Sequence, residues 1–231
     1  MKKYHHIFFD LDHTLWDFEK NSAETLADLY RQYGLMALDL FSESRFIEKF
    51  KQVNGHLWDL YNAGKIDKGE IRERRFITIF TDLGLTPEQI PADFGQVYLQ
   101  SCPKKSHIIP YAIETLDYLQ RKYTLHIITN GFDDVQDIKL TSANIKKYFQ
   151  EIVTSESVGF KKPEKEIFEY ALDVSKAEVS SSIMVGDNLH TDIKGARGIN
   201  MDQIYFNPND LSHRENVTYE VNCLSELSNI L

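Results

Sequence analysis

The chain has 231 residues, of which 42% are hydrophobic, 26% charged and 12% aromatic; that composition supports a packed core and argues against a disordered, collagenous or mucin-like chain. Lys and Arg number 26 against 35 Asp and Glu, leaving a net charge of -9, which disfavours a nucleic-acid polymer as partner because such affinity comes largely from phosphate neutralisation. Two cysteines, Cys102 and Cys223, can make at most one bridge, far short of a secreted disulfide framework, so a reducing, cytoplasmic setting is expected.

At the N-terminus Lys2 and Lys3 precede Ile7-Phe8-Phe9, but Asp10 and Asp12 follow too soon for the apolar region of a signal peptide. Later apolar runs are shorter than a membrane span, so no membrane partner is expected. Asn216-Val217-Thr218 has the form of a glycosylation acceptor, and without a secretion signal it is read as chance.

Residues 5 to 9 form a short run of β-formers that predicts a first strand ending in Asp10-Leu11-Asp12. From about 18 to 100 the pattern turns helical, with Leu26, Leu29 and Tyr30, then Phe46, Phe50 and Val53, then Leu57, Leu60 and Tyr61 at helical spacing. Gly34, Asn62-Ala63-Gly64, Gly84 and Pro87 punctuate this stretch into about four helices. Strand-like runs then recur at 124 to 129, 151 to 154, 182 to 186 and 202 to 206. Helical patterns lie between them, one at about 110 to 122 and another before Ile138 and Leu140 that Asp133 or Asp134 could cap.

Strand and helix alternating in this way predict right-handed crossovers and a Rossmann-like, doubly wound, mostly parallel α/β sheet. Residues 1-17 and 101-231 would form that core. Residues 18-100 would be an all-α subdomain inserted after the first strand, joined to the core by two chain crossings.

Four groups stand at predicted strand ends: Asp10-Leu-Asp12-His-Thr14, Thr129-Asn130-Gly131, Lys162-Pro163, and Gly186-Asp187-Asn188 with Asp192 beyond. Open parallel sheets place their sites at those carboxyl ends. Any one group could be a cap or a turn; four in this order, each after an apolar strand, point to chemistry.

Asp10 and Asp12 are two apart on extended chain and can face one substrate together. A carboxylate already ionised at neutral pH can attack phosphorus without a partner base when a cation screens it, which suits Asp10. Asp12 would then protonate the leaving oxygen and later activate water, a task favoured by a pKa raised by its carboxylate neighbour and partial burial. Asp187 with Asp10 offers hard oxygen ligands suited to Mg2+. Asp192, five residues on, is better placed to orient such ligands, as are Thr14 and Asn188. Thr129, Asn130 and the Gly131 amide would hold phosphoryl oxygens, with Lys162 as the stabilising charge.

These four motifs in this order resemble those of the haloacid dehalogenase superfamily phosphatases, over nearly the whole chain. The resemblance implies that Asp10 is the nucleophile that becomes an aspartyl phosphate, that Asp12 is the general acid/base and adds its backbone carbonyl to the Mg2+ ligands, and that Lys162, directly before the proline, is the functional lysine rather than Lys161. One departure is His13, where the family most often has glycine. An all-helical insert after the first motif resembles that superfamily's C1 cap, which admits small soluble substrates and excludes water during phosphoryl transfer.

The wording of several segments, among them Ile-Ile-Thr-Asn-Gly-Phe and Lys-Lys-Pro-Glu-Lys-Glu-Ile-Phe, is similar to that of the pyrimidine 5'-nucleotidase subgroup. It implies hydrolysis of pyrimidine nucleoside monophosphates, noncanonical ones included, and it assigns no oligomeric state. Trp58, Tyr61, Arg75 and Phe76 are then candidate substrate contacts in the cap. Their plain alternatives are helical core for the aromatics and a solvated basic face for Arg72, Arg74 and Arg75. His190 reads as a surface helix residue, since one imidazole does not suit Mg2+.

A sugar-phosphate phosphatase or a phosphomutase would use the same acids. Dehalogenation would leave Asp12 no leaving oxygen to protonate. An aspartate-phosphorylated signalling module would be smaller, would lack a helical cap and would carry its Asp on a middle strand.

Overall fold

The computed structural model describes residues 4–231; Lys2, Lys3 and the first three positions of the expected 1-17 segment lie outside the described residues. In chain order the elements are β1 (His6–Phe9), α1 (Phe18–Gln32), α2 (Glu43–Asn62), α3 (Lys68–Asp82), α4 (Phe94–Ser101), α5 (Ala112–Leu119), β2 (Thr124–Thr129), α6 (Asp133–Ser142), β3 (Phe149–Thr154), α7 (Ser155–Val158), α8 (Lys165–Ser175), β4 (Ser182–Gly186), a π-turn (Leu189–Ile193), α9 (Lys194–Gly198), β5 (Asp202–Phe206), β6 (Tyr219–Val221) and α10 (Leu227–Ile230). The described chain divides into two compact units, one of residues 4–18 and 106–231, the other of residues 19–105.

The first unit is built on one six-stranded sheet of order β3-β2-β1-β4-β5-β6. Every pairing is parallel, so the sheet is wholly rather than mostly parallel. Strand β1 is the centre: Phe8 lies beside His126 of β2 on one side and Met184 of β4 on the other. The chain winds from β1 through β2 to β3 and then returns to the far side of β1 with β4. The order therefore reverses between β1 and β4, where open α/β sheets leave a crevice at the strand ends.

Both faces of this sheet are covered, so its strands read as continuous apolar runs rather than alternating ones. Phe8, Ile128, Val153 and Met184 point to one face and pack with Ile167, Phe168 and Ala171 of α8 and Ala196 of α9, all essentially buried. Strand β6 is additional to the strands expected from sequence. Its pairing with β5 sets Tyr205 beside Glu220 and Phe206 beside Val221. Asp133 and Asp134 lie within the first turn of α6 rather than at its cap, which is Phe132; there they face the positive end of the helix dipole.

In the second unit α1, α2, α3 and α4 account for the helical spacing read between 18 and 100. Helix α2 is capped by Ser42, whose hydroxyl accepts from the Arg45 N–H at 3.2 Å. Helix α3 begins with a reciprocal capping box between Asp67 and Glu70. The core is aromatic: Phe46 stacks on Phe80 at 5.5 Å, and Phe76 meets Phe50, Phe80, Phe94 and Tyr98 with centroids 4.8 to 6.3 Å apart. Arg75 departs from the solvated basic face expected of its neighbourhood. It is 6% exposed, and its guanidinium lies 5.9 Å from the Phe50 ring centroid and 5.8 Å from that of Tyr98. Cys102 and Cys223 are free thiols, and among the described residues no helix is long and apolar enough to cross a membrane.

Candidate active site

Asp10 directly follows β1, and its N–H still donates to the Val185 carbonyl of β4 at 2.9 Å. The chain then doubles back: the Trp16 N–H donates to the Leu11 carbonyl at 2.8 Å and the His13 N–H to the Trp16 carbonyl at 3.0 Å. His13 occupies the left-handed region, φ 66, which explains why the resemblance expects glycine there. This turn keeps Asp10 and Asp12 at the carboxyl end of the central strand and buries Trp16 and Thr14 completely.

Lys162 is 1% exposed. Its ammonium donates to Asp10 Oδ1 at 2.5 Å and to the Ile128 carbonyl at 2.8 Å, and it pairs with Asp192 Oδ1 at 2.7 Å. All three protons are thereby engaged. Asn130 sets that reach, because its side chain donates to the Lys162 carbonyl at 2.9 Å and accepts from the Lys162 N–H at 2.8 Å. The Asn130 amide is thus engaged with the lysine loop, which the sequence reading, directing it to phosphate, did not foresee.

Thr129 Oγ1 accepts from the Gly131 N–H at 3.0 Å and from Gln136 Nε2 at 2.7 Å. A Cβ at Gly131 would come within 1.9 Å of the Gln136 amide nitrogen, so glycine is required by this close approach.

Opposite, Asp187 follows β4 and accepts from Thr14 Oγ1 at 2.9 Å. Asn188 shapes the π-turn by accepting from the His190 and Thr191 N–H groups at 2.9 and 3.1 Å. That turn swings Asp192 back so that its Oδ2 accepts the Asn188 N–H at 3.1 Å. Gly186 gives it room, since a Cβ there would lie 2.3 Å from Asp192 Oδ2. Asp10, Asp187 and Asp192 consequently present ligand oxygens within 4.8 Å of one another. A set of hard anionic oxygens, those of Asp10 and Asp192 buried and that of Asp187 partly so, fits Mg2+ better than a softer metal. His190 is exposed.

Burial raises the pKa of Asp10, and the negative charges of Asp192 and Asp187 raise it further against the opposing pull of Lys162. Asp187 is raised likewise, by burial and then by Asp192, with the Thr14 hydrogen bond working the other way. Burial opposes the charge on Lys162, but Asp10 and Asp192 outweigh it and hold the ammonium above the usual lysine range.

Asp12 behaves differently from the raised pKa expected from its neighbour and its burial. Burial does push it up, but the Lys139 ammonium and hydrogen bonds from Lys139 and Gln136 outweigh this and lower it. The cause lies in two residues of α6 that the sequence reading did not single out. Lys139 Nζ reaches Asp12 Oδ1 at 2.6 Å and Oδ2 at 2.8 Å, and Gln136 Nε2 reaches Oδ2 at 3.0 Å. The only signal available was their spacing of three on a helix directly after Thr129-Asn130-Gly131.

The candidate contacts of the helical unit fall into two groups. Trp58 and Tyr61 are half-buried on α2, their rings edge to face at 5.4 Å. Phe76, 5% exposed, belongs to the aromatic core, and Arg75 lies beside it.

Residues 7–206 match the family model of haloacid dehalogenase-like hydrolases. Along its whole length the chain is 29% identical to YfnB of Bacillus subtilis, over 100% of this chain and 97% of YfnB. It is 30% identical to the pyrimidine 5'-nucleotidase YjjG of Escherichia coli, over 99% and 98% of the two chains. Against the pyrimidine 5'-nucleotidase PynA of Streptococcus pneumoniae the identity is 28%, over 99% and 95%. The crystal structure of YfnB bound to magnesium matches with a TM-score of 0.87 at 28% identity, covering 99% of each chain.

Proposed function

The chain belongs to the haloacid dehalogenase-like hydrolases, and on that premise we propose that it hydrolyses phosphate monoesters through a phosphorylated Asp10, with pyrimidine nucleoside monophosphates as substrates. The observation that carries this reading is the buried ammonium of Lys162 held between Asp10 and Asp192 at the reversal of the strand order. A lysine so placed has no structural need that an apolar side chain would not meet more cheaply, whereas a carboxylate nucleophile and an anionic ester need it.

In this reading an Asp10 oxygen attacks phosphorus, the bond to the ester oxygen breaks, and Asp12 gives that oxygen its proton. Water then attacks the aspartyl phosphate while Asp12 takes up a proton, and inorganic phosphate leaves with Asp10 restored. Asp12 rests as the carboxylate beside Lys139; a phosphate dianion arriving next to it adds negative charge and favours its protonation. The Thr129 hydroxyl supplies a hydrogen bond to a phosphoryl oxygen. Asp10, Asp187 and the Asp12 backbone carbonyl would hold Mg2+, with Thr14, Asn188 and Asp192 fixing their positions. When bound, the ion supplies charge neutralisation for the transferring group.

Two full-length relatives named as pyrimidine 5'-nucleotidases support the substrate class. The test is phosphate release from UMP, dUMP, dTMP, purine monophosphates and sugar phosphates, with Mg2+ or with EDTA. We expect Mg2+-dependent turnover favouring the pyrimidine esters and a loss of about 1,000-fold or more in Asp10→Asn. Preference for sugar phosphates would replace the substrate class. An Asp10→Asn variant with undiminished turnover would overturn the chemistry.

A further inference from the structure

Helix α6 presents Gln136 and Lys139 one turn apart, on one face and nearly inaccessible, at 1% and 6% exposure. We propose that these two are positioning residues of the site: Lys139 fixes the Asp12 carboxylate in one orientation, and Gln136 ties that carboxylate to the Thr129 hydroxyl. The proposal rests on the phosphomonoesterase reading above and deepens it.

The grip on Asp12 is complete. Lys139 spans both carboxylate oxygens and Gln136 adds a bond to Oδ2, so the carboxylate cannot rotate without breaking a charge-assisted bond. Lys139 is itself held: its ammonium lies 4.6 Å from the Trp16 ring centroid and 5.9 Å from that of Phe18. The doubled-back turn after Asp12 therefore supplies both the carboxylate and the aromatic wall that holds its partner.

Gln136 spends its two amide protons on Asp12 Oδ2 and Thr129 Oγ1, while its Oε1 is buried without a partner. An orphaned acceptor costs stability. Turning the amide over would be worse, because it would set Oε1 against the Asp12 carboxylate. Thr129 Oγ1 then has both lone pairs filled, by Gln136 and by the Gly131 N–H. Its remaining capacity is to donate its own proton. The network thus makes Thr129 a fixed donor, suited to a phosphoryl oxygen, and holds the proton-transferring acid at a set place relative to it.

The two residues predict separable kinetic signatures. Wild type, Lys139→Met, Lys139→Arg, Gln136→Leu, Asp12→Asn, Asp10→Asn and the Asp12→Asn/Lys139→Met double variant are compared on para-nitrophenyl phosphate and on a nucleoside monophosphate. The first has a leaving group that needs little protonation and the second an alkoxide that needs much. Lys139→Met is expected to lower kcat/KM for the nucleotide about 100-fold, within the range of general acid catalysis, and for the nitrophenyl ester less than about 10-fold, with Lys139→Arg recovering most of the loss. In the Asp12→Asn background Lys139→Met is expected to add little. Gln136→Leu is expected to slow both esters, because it also releases Thr129.

Equal losses on both esters for Lys139→Met, full additivity with Asp12→Asn, or no loss at all would overturn the proposal. If Lys139→Met unfolds, Lys139→Gln, which keeps a polar side chain but no charge, carries the same comparison once circular dichroism shows that it folds. Turnover that survives Asp10→Asn, or absent from wild type on either ester, removes the reading beneath. Turnover that needs Asp10 but ignores Lys139 and Gln136 removes only this inference.

Discussion

A side chain at φ 66 is uncommon for any residue but glycine, and His13 sits there immediately after Asp12. It is held by its own N–H bond to the Trp16 carbonyl and by ring contact with Phe18 at 5.0 Å. His13→Gly relieves about 1 kcal/mol of left-handed strain but loses that contact and gains chain entropy when unfolded, so its stability should lie within about 1 kcal/mol of wild type. His13→Val puts a β-branched residue in the same conformation and should cost about 1 to 3 kcal/mol. Urea unfolding of both decides it, and a Val variant as stable as the Gly variant would mean that the turn is not under strain. Asp10, Asp12 and Lys162 could be picked out of the sequence because their signal is local: a fixed spacing or a following proline, placed after an apolar strand. The Asn130 clamp on the Lys162 backbone joins residues 32 apart, and the direction its side chain takes follows from how two loops meet, which spacing does not encode. Lys139 and Gln136 were hidden for a related reason. In an exposed-looking stretch, Asp133-Asp134-Val135-Gln136-Asp137-Ile138-Lys139, only the packed phase of the helix tells which polar residues turn inward.

At the scale of single elements, β1 and β2 carry a feature that their apolar reading conceals. His6 Nδ1 and His126 Nε2 lie 3.1 Å apart, and the His126 ring stacks on Phe8 at 4.7 Å with no exposure. Burial, and then the charge of His6, lowers the pKa of His126 to about 4. The unfolded chain, with a histidine pKa of about 6.5, binds the proton more readily than the folded one. The stabilising contribution is therefore whole above about pH 6.5 and is lost as the pH falls toward about 4, amounting at most to roughly 3 kcal/mol. His126→Phe keeps the stack and removes the titration, so its stability curve should be flatter than wild type across that window. An unchanged slope would assign the acid sensitivity elsewhere. Strand β6 shows the opposite limit of sequence reading. Tyr219, Glu220 and Val221 are too few and too polar to make a periodic signal; the strand exists because β5 offers an unpaired edge and because Asn207 and Glu220 bond at 2.7 Å across the pair.

For the molecule as a whole, the site concentrates charge that the rest of the fold must tolerate. Three carboxylates, Asp10, Asp187 and Asp192, stand against the one ammonium of Lys162, a formal excess of two negative charges within a chain already at -9. Folding thus raises the pKa of Asp10 and Asp187 by burial and by the negative charge of Asp192 beside them. Without metal, the folded state binds protons that the unfolded state releases above about pH 4. Stability should accordingly fall as the pH rises from there into the neutral range, opposite in sign to the histidine effect. A divalent cation bound by these carboxylates would supply the missing charge and displace those protons. Saturating Mg2+, at about 100 times its dissociation constant, should add about 2.7 kcal/mol, or roughly 5 to 10 °C in Tm for a chain of this size. At one fixed Mg2+ concentration the gain should be larger at pH 8 than at pH 6, because at the lower pH protons compete for the same oxygens and raise the dissociation constant. Thermal unfolding at both pH values, with Mg2+ or EDTA, measures the gain; titration in two buffers of different ionisation enthalpy counts the protons released. A Mg2+ shift that is larger at pH 6, or that persists unchanged in Asp187→Asn, would mean that the ion stabilises the chain somewhere other than the ends of β1 and β4.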